Sequence, residues 1–410
     1  MPGLDNERRR DLADRGLEAM RGMRALRGAL AQTADFVPPE LRPRHRGGFG
    51  AGSAPDPMDW KAVERVLTDA WGEPVASVLD EIDPTPAAPS TTGQVHRAVR
   101  GADRREIAVK VQRPGIADAV RADLQNVSAL ARLGGSFAPG VDVSGLATEI
   151  RERLLEELDH ELEAQAQRVF ARAYRGHPFI HVPVPDTELS HTLVLVSEWV
   201  DGPGLDAAYD GPEAERDRLG EIAFRFFLGS PYRVGRNHGD PHPGNLRLMP
   251  DGRLGVLDFG AGARADAARV RAVAAVLSAG HRGDAAAAHA GLAGLGYLPD
   301  PSAVDPDELL ALARGAAGWL ARDTELIVDV PLIRASMAAV RGNDGAGALT
   351  GQLAFPAQDL VARRQEVGLL GVLAQLRPTA NWWRIGAEWW QGSEAVTDLG
   401  VAEAGFWARR

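Results

Sequence analysis

His238-Gly239-Asp240-Pro241-His242-Pro243-Gly244-Asn245, followed thirteen residues later by Asp258-Phe259-Gly260, decides the reading of this 410-residue chain. The first element contains D-x-x-x-x-N. The second ends the apolar strand Leu254-Gly255-Val256-Leu257. Phosphoryl transfer needs such a pair. An aspartate on a rigid loop positions or deprotonates the acceptor hydroxyl, and an asparagine oxygen with a second aspartate holds Mg²⁺ on the phosphates. Mg²⁺ is a hard cation that takes oxygen ligands, which Asn245 and Asp258 can supply. Asp, Pro, Gly and Asn also build ordinary turns. The order and spacing of the two elements, with an apolar strand between them, favour the kinase-type site over a turn.

Working outward, Ile107-Ala108-Val109-Lys110-Val111 and Gly93-Gln94-Val95-His96-Arg97-Ala98 flank a polar, glycine-containing turn and read as a β-hairpin. Only two of the 46 basic residues are lysines, Lys61 and Lys110. In a chain that otherwise uses arginine, a lysine ending an apolar strand marks a place for a compact ammonium. From that strand Lys110 would reach nucleotide phosphates, held by a helix glutamate. Among seven acidic positions in 149–163, the candidates are Glu157, Glu161 and Glu163. Over 145–173 the spacing predicts one helix, with Ile150, Leu154, Leu158, Leu162 and Ala166 as its apolar stripe. In a regular helix Glu157 and Asp159, two apart, would not face one ligand. No G-x-G-x-x-G precedes Lys110. Ala88-Pro89-Ser90-Thr91-Thr92-Gly93-Gln94 stands there instead, with the hydroxyls of Thr91 and Thr92 beside Gly93 and Gln94 as the nucleotide lid. Glu198-Trp199-Val200, after the strand His191–Val200, would supply the hinge backbone that pairs with adenine, with Trp199 a core aromatic or a direct contact.

GQVHRA, AVKVQRPGI, EELDHELEA and HGDPHPGNL followed by LDFG together resemble the UbiB/AarF family of atypical protein-kinase-like proteins, from about residue 20 to 390. The resemblance implies an α+β, protein-kinase-like two-lobed fold with an N-terminal helical extension packed across the active site. It implies ATP and Mg²⁺ binding, and an ATPase or kinase acting on a small-molecule or lipid-like acceptor. It also implies support of isoprenoid quinone biosynthesis at a membrane. On this pattern Lys110 is the phosphate lysine, Glu163 its helix partner and Asp240 the catalytic-loop aspartate. Asn245 and Asp258 are the metal ligands, and Glu157 with Asp159 forms the regulatory E-x-D pair. The family's K-x-G-Q signature survives here only as Gln32, and Arg27 is the candidate to replace its lysine.

The remaining readings concern organisation and partners. Composition is ordinary for a globular protein, at 45% hydrophobic and 25% charged, and a net charge of −10 argues against a nucleic-acid binder. No cysteine exists, which excludes disulfides and thiolate metal sites. The first residues form no apolar leader and no run reaches a spanning length, so a cytoplasmic protein with peripheral membrane contact is expected. The predicted divisions are 1–57 (helical extension and linker), 58–202 (small lobe), 203–350 (large helical lobe) and 351–410 (helical tail). Helices are expected over 5–36, 60–79, 116–133 and 212–230, and everything after about residue 264 is expected to be helical. Trp382, Trp383, Trp389 and Trp390 fall on one helical face, either packed on the large lobe or presented to an interface. His96, His238 and His242 offer a weaker, zinc-binding alternative. Two other functions compete: a phosphotransferase of the aminoglycoside or choline kinase kind, and a non-catalytic, ATP-dependent binding protein.

Overall fold

The computed structural model describes residues 56–89, 92–122, 148, 151–152, 155–341 and 349–410. The predicted helix 5–36, Gln32, Arg27, Ser90 and Thr91 lie outside the described residues, as does most of the predicted helix 116–133 beyond residue 122. The chain divides into two compact units. Within the described residues, the first comprises 56–168 with 183–199, and the second 169–182 with 200–410.

The first unit is a sheet covered by a helix. Helix α1 (Trp60–Trp71) stops at Gly72, whose φ of +71° is a left-handed cap that glycine adopts without strain. The expected helix 60–79 therefore ends early. A short helical turn, Val75–Val78, leads into strand β1 (Leu79–Ile82). Strands β2 (Gly93–Arg100), β3 (Glu106–Gln112) and β4 (Val194–Glu198) complete an antiparallel sheet in the order β1-β2-β3-β4, with Ala88–Pro89 added against β2. The strand expected over His191–Val200 is shorter at both ends. Alternation on β3 is clean: Ile107, Val109 and Val111 are buried against Val63, Val66 and Leu67 of α1. Lys110, out of phase with them, pairs in register with Val95 and Leu195 and projects from the opposite face.

The helix expected over 145–173 is interrupted. Glu157 and Leu158 form a turn, and helix α2 (His160–Ala173) starts afresh after Asp159. The Oδ1 of Asp159 accepts from the backbone N–H of Glu161 (3.0 Å) and of Leu162 (3.3 Å), which caps the new helix. The break resets the helical phase within the expected repeat, of which Ile150 and Leu154 lie outside the described residues. Leu158 and Ala166 are buried, whereas Leu162 is 45% exposed.

The second unit is mainly helical. Helix α3 (Glu213–Arg233) is buried along much of its length. Strands β5 (Leu246–Leu248) and β6 (Leu254–Val256) pair antiparallel, and Ile180–His181 adds in parallel to β6. Then follow α4 (Ala267–Arg282), α5 (Ala285–Gly294), α6 (Pro306–Ala317), α7 (Val330–Arg341), α8 (Leu360–Leu376), α9 (Trp382–Trp390) and α10 (Asp398–Trp407). The two-residue strands Leu326–Ile327 and Thr379–Ala380 pair with each other within this otherwise helical region.

The tryptophans of α9 pack inward. Trp382 is fully buried, donates from Nε1 to the carbonyl of Leu326 (3.0 Å) and lies 5.0 Å from the ring of Phe224. Trp389 meets the same phenyl ring at 5.7 Å, and Trp383 stacks on His281 at 4.0 Å. Beneath them Arg225, wholly buried, bonds Glu221 (2.6 Å), Glu388 (2.7 and 2.8 Å), Glu403 (2.9 Å) and the Thr397 hydroxyl (3.0 Å). That network ties α9 and α10 to α3. Among the described residues, no helix is long and apolar enough to cross a membrane.

Candidate active site

In the first unit, Lys110 Nζ donates to both Glu163 oxygens at 3.0 Å. Glu163 is 1% exposed and also meets His160 Nδ1 at 3.2 Å. Burial alone would push this carboxyl up, but the Lys110 ammonium, with His160 beside it, outweighs that and holds it at about 2. Of the other two candidates, Glu161 is exposed and Glu157 sits in the turn before the helix. The start of α2 is fixed by backbone contacts: Gln112 Nε2 donates to the carbonyl of Leu158 (2.5 Å), and the N–H of His160 donates to that of Thr192 (3.1 Å).

The lid residues are placed by packing. A Cβ on Gly93 would come 2.2 Å from the Val111 carbonyl oxygen, so strand pairing itself demands glycine there. The amide of Gln94 is buried. It accepts from the N–H of Met58 (2.7 Å) and lies 2.9 Å from His96 Nε2. Thr92 is half-buried. Glu198 donates its backbone N–H to the Val184 carbonyl (3.0 Å) and accepts from the Val184 N–H on Oε2 (3.3 Å). The Val200 side chain is buried. Trp199 is half-buried rather than a core aromatic, with the Arg97 guanidinium 5.1 Å over its ring.

In the second unit, the loop and the D-F-G segment are joined. The N–H of Leu257 donates to the Asn245 carbonyl (2.8 Å), and His238 Nε2 lies 3.0 Å from the Leu257 carbonyl. His238 Nδ1 accepts from the N–H of Asp240 (3.3 Å), so this imidazole bridges the two motifs. Its ring is 4.7 Å from that of Phe259, which in turn lies 4.9 Å from Phe170. Gly239 has φ +87°, and a Cβ there would sit 2.2 Å from the carbonyl oxygen of Ala261. Asp258 takes the left-handed φ of +59°, an unusual conformation for a residue with a side chain, though one aspartate tolerates. Asp240 Oδ2 accepts from Asn245 Nδ2 (2.8 Å), and Oδ1 accepts from Arg364 of α8 (3.3 Å).

The histidines serve the scaffold. His96 is buried between Asp83 and Gln94, and burial lowers its pKa, which keeps it neutral. His242 Nδ1 accepts from the N–H of Gly244 (3.0 Å) and forms a turn. Among the described residues, no group of three or more His, Cys, Asp or Glu side chains could hold a metal by itself.

Sequence reasoning missed Arg364 and Gln365. Gln365 is 1% exposed. Its Oε1 accepts from the N–H of His238 (2.7 Å) and of Gly239 (2.9 Å), while Nε2 donates to the Phe227 carbonyl (2.7 Å) and to Asn237 Oδ1 (3.3 Å). One side chain thus anchors the start of the loop from more than a hundred positions downstream. Its only sequence trace is a polar residue on the buried face of an apolar helix.

Comparison with known proteins gives a consistent picture. The family model of the ABC1 atypical kinase-like domain matches residues 52–290. An uncharacterised chloroplastic aarF domain-containing protein kinase of Arabidopsis thaliana is 33% identical over 207 residues, covering 50% of this chain and 29% of the relative. The mitochondrial atypical kinase coq-8 of Caenorhabditis elegans is 32% identical over 240 residues, covering 56% of this chain and 31% of the relative. The chain thus spans about three-tenths of the length of these curated relatives. The structure of Rv3197 from Mycobacterium tuberculosis, solved with erythromycin, superposes with a TM-score of 0.68 at 28% identity, over 82% of this chain and 83% of that one. The chain belongs to the ABC1 (UbiB/AarF) atypical kinase family, and its fold is a mixed α+β, kinase-like one.

Proposed function

We propose that the chain binds ATP with Mg²⁺ and either hydrolyses it or transfers its terminal phosphoryl group to a small-molecule or lipid-like acceptor. The acceptors include those of isoprenoid quinone or other lipid metabolism. The observation that carries the reading is the doubly bonded Lys110–Glu163 pair. In protein kinases the strand lysine and helix glutamate must be joined for the site to work. Lys110 supplies the ammonium for the phosphates, and buried Glu163 keeps it from wandering among rotamers. Thr92 and the backbone around Gly93 and Val200 are the remaining nucleotide contacts on this reading.

The amide oxygen of Asn245 and the carboxylate of Asp258 form a hard-oxygen set that suits Mg²⁺, whose charge would stabilise the phosphates. Asn245 donates through its nitrogen to Asp240, so its oxygen would be the atom available to hold a cation. Asp240 orients the attacking water or acceptor hydroxyl and takes its proton. A new P–O bond forms on the terminal phosphorus while the bond to the bridging oxygen breaks and ADP leaves. Catalysis of this kind is mainly positioning and charge stabilisation.

A second reading, nucleotide-dependent binding without turnover, draws on one feature. Both oxygens of Asp240 already carry protein donors, which an acceptor must share or displace. ATP turnover by the purified chain, with and without Mg²⁺, separates the two. Added phenolic, lipid-like or macrolide compounds, the last suggested by the Rv3197 complex, test the acceptor class. Asp240→Asn is expected to abolish turnover and retain binding of a fluorescent ATP analogue. Turnover surviving in Asp240→Asn would sink the assignment, and Mg²⁺-dependent binding without turnover in the wild type would favour the second reading.

A further inference from the structure

Two arginines of the second unit stand side by side where the backbone enters the Asp240 loop and leaves the D-F-G segment. The two-residue strands Arg236–Asn237 and Ala263–Arg264 pair antiparallel, with Arg236 directly opposite Arg264 and Asn237 opposite Ala263. The first runs straight into His238, and the second follows closely on Asp258-Phe259-Gly260. Side chains alternate across a strand, and residues directly opposite one another share a face. Asn237 and Ala263 are buried, and Asn237 Oδ1 accepts from Gln365 of α8 (3.3 Å), so theirs is the inner face. Arg236, half-buried, and Arg264, exposed, belong to the outer one.

Like charges directly opposite on a sheet are destabilising unless an acid offsets them. Among the described residues, neither guanidinium is paired with a carboxylate. Burial and the charge of Arg264 both push the Arg236 guanidinium below its ordinary value. The acid nearest in sequence, Asp266, is committed to the start of α4, where its Oδ1 accepts from the N–H of Arg269 (2.7 Å). Asp240, on the loop that follows Arg236, has one oxygen engaged by Asn245 and the other by Arg364. In a chain of 56 acidic and 46 basic residues, two adjoining arginines left without an acid call for an anion from outside.

Directly opposite residues have their Cβ atoms about 4.5–5.5 Å apart, so two long side chains can close on one small group. A guanidinium offers a planar fork that fits phosphate oxygens in pairs. Two such forks at one centre match two negative charges. A carboxylate or a phosphodiester brings one, whereas a phosphomonoester brings close to two near neutral pH. We infer that Arg236 and Arg264 form a binding site for a phosphomonoester group, carried by a soluble molecule or by a lipid headgroup. The bound group would bridge the strand that enters the Asp240 loop and the strand that leaves D-F-G. The inference is independent of ATP turnover, because its readouts are binding and melting of the full chain.

Calorimetric titration with glycerol 3-phosphate, dimethyl phosphate and acetate tests the charge requirement. The monoester should bind at least about fivefold tighter than either monoanion. Arg264→Gln and Arg236→Gln should each weaken its binding about tenfold. Without ligand, Arg264→Gln should melt no lower than the wild type, because it removes a repulsion. With saturating glycerol 3-phosphate the order should invert, since only the wild type gains from the ligand. Sedimentation with phosphatidylcholine vesicles containing either phosphatidic acid or phosphatidylglycerol separates the two sources. Binding to the phosphatidic acid vesicles alone, lost in Arg264→Gln, assigns a headgroup. Binding of glycerol 3-phosphate without vesicle binding assigns a soluble ester. Three results would overturn the inference: a monoester bound no tighter than dimethyl phosphate, monoester binding undiminished in both variants, which would place the anion elsewhere, or a lower melting temperature for ligand-free Arg264→Gln.

Discussion

Replacing Glu163 by Gln removes one charge from a pair buried in the first unit, and the size of the effect follows from the structure. The wild-type carboxyl is held at about 2 against an ordinary 4.5. A difference of that size is worth about 3 kcal/mol of stability at neutral pH. The direction is set by the lowered value: the contribution is complete above the unfolded pKa and disappears as pH falls through the folded one. The gap between wild type and Glu163→Gln should thus stay flat above about pH 5.5 and narrow between pH 4.5 and 2. About 1 kcal/mol should remain at pH 3. Urea unfolding of both proteins by circular dichroism at pH 7, 5, 4 and 3 measures the gap directly, and acid destabilisation common to both cancels in the difference. A gap below about 1 kcal/mol at pH 7, or one that does not change down to pH 3, would refute the picture of a buried carboxylate held ionised by Lys110.

Gly239→Ala forces a side chain into a left-handed backbone and against the Ala261 carbonyl, so a loss of roughly 2–3 kcal/mol is expected in thermal melting. Gln365→Leu keeps the volume but leaves the N–H groups of His238 and Gly239 and the Phe227 carbonyl without this partner. It should cost about 2–4 kcal/mol and lower kcat more than nucleotide affinity, as steady-state kinetics and a binding titration would show. Arg225→Met strands three carboxylates in the interior, and a drop of at least about 3–5 kcal/mol in unfolding free energy is expected.

Much of the site was legible because local chemistry announces it. The alternation on β3 placed Lys110 opposite the buried valines, and the glycine, proline and aspartate of the loop mark a fixed backbone. The choice among Glu157, Glu161 and Glu163 was not open to periodicity. It turned on a break after residue 158, where Asp159 caps a new helix, and a cap is indistinguishable in sequence from an acidic residue on a solvated face. The same break misassigned Leu162. The sequence does not reveal that a neighbouring strand crowds Gly93 or that the backbone of Met58 engages the Gln94 amide. For the tryptophans the spacing was correctly read, but whether a helical face meets solvent or α3 depends on contacts remote in sequence. Gln365 could not be found at all, since its four partners come from two other segments of the chain.

The reach of Gln365 also bears on where this protein can be cut. Homology recognises residues 52–290, yet the side chain that fastens the loop backbone stands at 365, and two of the acids that neutralise Arg225 stand at 388 and 403. A fragment ending at the edge of the recognised region would retain every motif residue and lose the clamp and the counter-ions beneath them. The stretch that the family model recognises and the stretch that folds autonomously therefore have different boundaries in this molecule, and only the longer one can be expected to yield a native fragment.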